Sequence, residues 1–186
     1  MGTNITNLTI DQIGKRWVGF NDISADLLKN LKAEPFVSAR KKGDEAISSL
    51  LASLRRETLE CPAIFIGAGT CGLGAGAAKT IAAIKDFLKE RKFEADVIEV
   101  GCNGMCSDEP IVDILIPGRT RLSFGPVTDE KAASLLDAVI FKSNIPENLV
   151  LGQYSNVNKG ATLWEGVPLL EDHPFLKSQV RVVLGT

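Results

Sequence analysis

Apolar and polar positions follow two periods along this chain. Between Gly72 and Arg91, the apolar residues Ala77, Ile81, Ile84, Phe87 and Leu88 recur at helical spacing, with Lys79, Lys85, Asp86, Lys89 and Glu90 outside the stripe. That pattern predicts an amphipathic helix burying one face. A second such pattern starts at Thr128 with Asp129 and Glu130 and runs through Ala132, Leu135, Leu136, Val139 and Ile140. Acidic residues in a first helical turn suit the positive end of the backbone dipole. Shorter apolar runs bounded by Pro and Gly predict strands over Ala63–Gly67, Ala95–Val100 and Ile111–Ile116. A P-G-R-T turn then leads into Arg121–Phe124 and predicts a β-hairpin.

Upstream, Ser24 caps a short pattern carrying Leu27, Leu28 and Leu31, which Pro35 ends. A longer one from Val37 to Glu60 carries Ala46, Ile47, Leu50, Leu51 and Leu54. Residues 1–60 therefore read as a helical N-terminal arm, residues 61–142 as the central domain, and residues 143–186 as a linker or extended tail. Strand, helix, strand, hairpin, helix is the order over residues 62–141. It predicts an α/β fold: a thioredoxin-like mixed sheet with flanking helices.

Composition changes this picture little. The chain has 186 residues, a formal net charge of −2, 45% hydrophobic residues and 24% charged residues. This balance gives no reason to expect nucleic acid or an anionic membrane as partner. No apolar window approaches the length of about 18 residues that spans a bilayer, and the first residues lack a secretory pattern. A cytoplasmic protein without membrane insertion is the expectation.

Candidate chemistry enters with the four cysteines. Three lie in glycine-rich turns: Cys71 in G-A-G-T-C-G, then Cys102 and Cys106 in G-C-N-G-M-C-S-D-E-P. In a reducing compartment that placement suits metal ligation or redox work better than structural disulfides. Cys102 and Cys106 can converge on one centre, and Cys71, at a strand-to-helix turn, can meet them. Backbone N–H groups in such turns stabilise thiolates and donate to the sulfurs of an iron–sulfur cluster. A competing reading takes Gly67, Gly69 and Gly72 as a G-x-G-x-x-G phosphate turn with Glu99 as ribose partner. It leaves the cysteines unexplained, and the hairpin replaces the next crossover it needs. Cys61 reads as a small buried hydrophobe, His173 as structural, Trp17 and Trp164 as packing residues, and Asp108 and Glu109 as solvated turn acids.

The segments G-T-C-G-L-G-A-G-A, G-C-N-G-M-C-S-D-E-P and P-G-R-T-R-L-S-F-G-P-V-T resemble the thioredoxin-like [2Fe–2S] ferredoxin domain. In particular they resemble the copy at the N-terminus of NADH-binding flavoprotein subunits of complex I relatives, bifurcating hydrogenases and NAD-linked formate dehydrogenases. The run W-E-G-V-P-L-L-E-D-H-P-F-L-K-S-Q-V-R-V-V-L resembles the lead-in to their flavin domain. The resemblance covers about residues 60–186. It implies a [2Fe–2S] cluster held by Cys71, Cys102 and Cys106, electron transfer without catalysis of its own, and FMN/NADH-binding and other iron–sulfur subunits as partners. One departure concerns the cluster: the family's C-x4-C places its first ligand at Ile66, which cannot bind iron. Cys61 lies five residues earlier on the chain, roughly 16 Å away along a strand. Thr70, Ser107 and Asp108 are nearer, weaker donors. A cluster-less assembly module of the same complex, a thiol redox role and a dinucleotide-binding fragment are the alternatives.

Overall fold

The apolar run before the first glycine turn forms β1, Ala63–Gly67, with all five residues buried. In this computed structural model, the described residues are Ala52, 59–155 and 160–179. The chain divides into two compact units, Met1–Arg55 and Arg56–Thr186. The arm expected over residues 1–60, Trp17 included, lies outside the described residues apart from Ala52, Leu59 and Glu60.

Two helices follow β1: α1, Thr70–Ala75, and α2, Ala77–Arg91. The periodicity predicts one helix from Gly72. The break falls at Gly76, which adopts φ 106° and returns its N–H to the carbonyls of Gly72 and Leu73. Only glycine enters that region at little cost, and glycines at 72 and 74 already weaken the first segment. Then come β2, Asp96–Val100; β3, Val112–Leu115; β4, Leu122–Phe124; and α3, Asp129–Leu136, which continues as one π-helical stretch over Asp137–Phe141. Thr128 occupies the N-cap of α3, although its side chain makes no capping bond.

The sheet order is β2-β1-β3-β4-β5, where β5 is Val150–Gln153. β1 pairs parallel with β2, from Ala63 opposite Asp96 to Gly67 opposite Val100, and antiparallel with β3. A parallel pair needs a crossover, which α1 and α2 supply. β3 and β4 form the expected hairpin, Asp113 facing Ser123. The four strands β2-β1-β3-β4, with β3 running against the others, make the thioredoxin-like arrangement that the element order predicts.

The tail differs from the expectation. Val150–Gln153 forms β5, antiparallel to β4, so residues beyond 142 complete the sheet. Gln153 is 2% exposed and explains the attachment. Its amide nitrogen donates to the carbonyls of Trp164 (2.9 Å) and Val167 (2.7 Å). Its carbonyl accepts from the Thr120 hydroxyl (2.7 Å) and from the Trp164 N–H (2.8 Å). The Trp164 indole donates to the Thr120 carbonyl at 2.9 Å. A buried amide with every group paired specifies one arrangement, and isolated apolar periodicity cannot reveal it. A short helix, α4, Pro174–Lys177, follows, with His173 at its N-cap accepting from the Phe175 N–H.

Strand pleating separates two faces. Ile64, Ile66, Val112, Ile114, Leu122 and Phe124 pack with Ile81, Ile84, Phe87 and Leu88 of α2 and Ala132, Leu135 and Leu136 of α3. The opposite face carries Ala63, Phe65 and Leu115 with Leu59, Ile98 and Val100 packed on them.

Candidate metal centre

β1 and β2 run parallel, so the turns that follow them leave from the same end of the sheet. The Gly67 N–H bonds the Ile111 carbonyl (2.9 Å) and the Ala68 N–H bonds the Val100 carbonyl (2.8 Å), which ties both turns to the strand ends. The turns touch at Gly69: a Cβ there would stand 3.2 Å from the Cys102 Cβ. Gly72 is tighter still, since a Cβ would meet the Gly67 carbonyl oxygen at 2.2 Å. Gly72 requires glycine for close approach rather than for φ, and Gly69 is a tight contact.

Cys71 lies exposed in the first turn of α1. Cys102 and Cys106 are exposed in the second turn, which buried Met105 anchors. The Gly104 N–H donates to the Cys102 sulfur at 3.2 Å, and the Met105 N–H to the Asn103 side-chain oxygen at 3.0 Å. The Cys102 and Cys106 sulfurs are 3.9 Å apart. The neighbouring Cys71 thiol is the main reason the Cys106 thiol is held above its ordinary value of 9.0. The bond with Cys102 acts the other way; desolvation and negative charge on Cys71 and Glu109 add to the rise.

Among the described residues, no three or more His, Cys, Asp or Glu side chains are grouped to hold a metal ion. Cys102 and Cys106 stand as a pair, and Cys71 lies on the neighbouring turn. Pairwise thiolate ligation is what the two irons of a [2Fe–2S] cluster take. Cys71, Cys102 and Cys106 offer thiols, the donor type an iron–sulfur cluster takes, and are one short of its four ligands. Ile66 does not supply the fourth: it is fully buried among the α2 and α3 side chains. Cys61 precedes the opposite end of β1 and is half-buried rather than buried. Ser107, a nearer donor, gives its hydroxyl to the Asp108 carboxylate at 3.0 Å.

The expectation for Glu109 needs correction. It is not a solvated turn acid but 6% exposed. Its side chain folds back so that Oε2 accepts from the Ile111 N–H at 2.8 Å. The carboxylate fills the notch left by Gly67 and Gly72, where added Cβ atoms would meet Oε2 at 2.8 and 3.1 Å. It also lines a cavity of about 150 Å3 with Cys102, Asn103, Phe65, Asp113 and Arg121. A carboxylate packed against the first turn repels phosphate, so that turn is a poor dinucleotide cradle. Nothing in the sequence signals the burial, since E-P before a strand reads as a surface turn.

No family model matches the sequence. Among curated proteins, the NADP-reducing hydrogenase subunit HndB of Solidesulfovibrio fructosivorans is 25% identical over 95 residues, covering 50% of this chain and 75% of that protein. Among solved structures, a thioredoxin-like [2Fe–2S] ferredoxin from Aquifex aeolicus matches with a TM-score of 0.44 at 15% identity, over 51% of this chain and 94% of its own. A second structure, of the wild-type thioredoxin-like [2Fe–2S] ferredoxin from Aquifex aeolicus, gives 0.43 at 16% identity, over 50% and 97%. The chain has the thioredoxin-like fold by its own strand order and pairing, and it is similar to thioredoxin-like [2Fe–2S] ferredoxins and to a hydrogenase subunit.

Proposed function

We propose that this chain is an electron-transfer module of an NAD(H)-linked flavoprotein oxidoreductase complex, holding a [2Fe–2S] cluster through Cys71, Cys102 and Cys106. When bound, the cluster supplies one-electron transfer. The chain's residues bind and orient it: two turns present the thiols, and the Gly104 amide donates to the Cys102 sulfur. The observation that carries the reading is that two turns leaving the same end of the sheet carry the three cysteines, with the Cys102 and Cys106 sulfurs 3.9 Å apart. The hydrogenase subunit relative supports placement in a multi-subunit complex. Residues 61–142 form the cluster domain in this reading, residues 1–60 an arm, residues 143–186 the connection toward an FMN/NADH-binding partner, and the cytoplasm the setting. Among the described residues no helix is long and apolar enough to cross a membrane.

Iron and sulfide quantification of anaerobically purified protein, with electron paramagnetic resonance after reduction, tests the proposal. Bound iron and a reduced-cluster signal are expected, both lost in Cys102→Ser. Ile66 at the fourth ligand position favours one second reading, a cluster-less assembly module. In that case Cys102→Ser keeps both stability and partner binding, and the wild type carries no iron.

A further inference from the structure

The C-terminal half of α2 carries two sets of cations, and the fold uses one of them. Arg91 pairs with Asp137 at 2.7 Å and lies over the Phe87 and Phe141 rings. Lys85, Lys89 and Lys92 are exposed, and among the described residues none of the three has an ion pair. Their spacing puts them in one row along the helix, where like charges repel. The negative end of the helix favours cations in its last turn, which accounts for Lys89 but not for Lys85 further in. Lys92 takes the left-handed C-cap position at φ 50°, where glycine is the common residue.

The three lysines border a groove of about 430 Å3, lined also by Leu88, Phe93 and Val97, with Glu94 as its acid. Val97 belongs to β2, an outer strand of the sheet. The Asp96 N–H bonds the Pro62 carbonyl at 2.9 Å, and the Val100 carbonyl accepts from the Ala68 N–H at 2.8 Å. Alternation along a parallel ladder then turns the N–H and C=O groups of Val97 and Glu99 outward. Among the described residues no strand pairs with that edge. Donors and acceptors in alternation suit another backbone better than a small anion. We propose that the groove between α2 and the β2 edge is a docking site for an acidic, extended segment of a partner protein. The segment adds a strand beside β2 and sets its carboxylates on Lys85, Lys89 and Lys92. Backbone bonds supply affinity, and the lysines select an acidic sequence. No cysteine lines the groove, so the site stands independently of the cluster reading.

Fluorescence anisotropy of the full chain with a labelled peptide alternating Glu and Val tests this. A Lys–Val peptide and an acidic peptide N-methylated at alternate residues serve as comparisons. Binding of the acidic peptide that weakens as salt rises is expected. The triple variant Lys85→Gln, Lys89→Gln, Lys92→Gln should lose affinity by about tenfold or more, and so should the N-methylated peptide. Removing the same charge elsewhere, by Lys79→Gln, Lys131→Gln and Lys177→Gln together, should leave affinity within about threefold. An acidic peptide that does not bind, or that binds the triple variant as tightly as wild type, overturns the proposal and leaves a solvated lysine face. An N-methylated peptide as tight as its parent also overturns it, in favour of an anion site without strand pairing. Sedimentation with phosphatidylglycerol vesicles in place of peptide binding assigns the groove to a membrane surface. A dimer of the free chain that the triple variant loses assigns it to a second copy. Either result overturns the acidic partner.

Discussion

The two faces of the sheet are built from the same strands yet follow different chemistry. On the helix-covered face, the side chains between Ile64 and Val139 are aliphatic or aromatic. The buried polar side chain there, Thr80, is satisfied by donating to the Val127 carbonyl at 2.9 Å. On the opposite face, Asp113 sits opposite Phe65 in the pairing register and is 4% exposed. Arg121 pairs with it through Nε at 2.9 Å and through the terminal nitrogen, and the Tyr154 hydroxyl reaches the same oxygen at 3.2 Å. The guanidinium lies 3.9 Å from the Phe65 ring centroid. Asp113 Oδ1 and Ser123 Oγ, neighbours in register, are buried without a hydrogen-bond partner. One face spends its residues on packing. The other tolerates unpaired polar atoms beside the cavity that reaches Cys102.

Substitutions on each face sharpen that contrast. Phe124, fully buried under the helices, is expected to show the largest effect: Phe124→Ala should cost about 3–5 kcal/mol in urea denaturation. Arg121→Met leaves the Asp113 carboxylate buried without its cation, with the Tyr154 hydroxyl still bonded to it. Losing one partner of a buried pair costs about 3–5 kcal/mol, and because Arg121 is 21% exposed a smaller loss of about 2 kcal/mol is expected. Adding Asp113→Leu should recover most of it. A double variant as unstable as the single would show that the polar cluster supports the fold rather than merely being tolerated.

Gly67→Ala places a Cβ 2.8 Å from the Glu109 carboxylate. Displacing that side chain should cost about 1–3 kcal/mol. Gly101→Ala, in the neighbouring turn with nothing within 4 Å of the added Cβ, serves as the near-neutral control. The smallest effect belongs to Asp137, away from both faces' chemistry. Lys142 chiefly, with help from Arg91, holds its carboxyl below the ordinary value of 3.8. A depressed folded value contributes stability above the unfolded value that is lost as pH falls through the folded one. Melting temperatures of wild type and Asp137→Asn should therefore differ slightly above about pH 4 and converge in stronger acid.

Much of this was legible along the chain. The periodicity of α2 and α3, the hairpin and the run of Ala63–Gly67 each carry a burial pattern that one-dimensional spacing preserves. The cysteine turns were legible too, because glycine and cysteine at those spacings have few other uses. Other features were not. The break at Gly76 depends on whether a glycine enters the left-handed region, which spacing does not encode. Strand β5 depends on Gln153 finding Thr120 and Trp164, partners separated from it in sequence.

The sequence by itself determined the thioredoxin-like order of elements and named Cys71, Cys102 and Cys106, because local periodicity and turn chemistry are properties of neighbouring residues. Tertiary structure alone decided that the two cysteine turns approach each other at Gly69 and Cys102, that Ile66 turns away into the helix-side core, and that Glu109 is buried beneath the turns. Each of those depends on which distant backbone fills the space beside a residue. For Glu109 that space is the notch that Gly67 and Gly72 leave open.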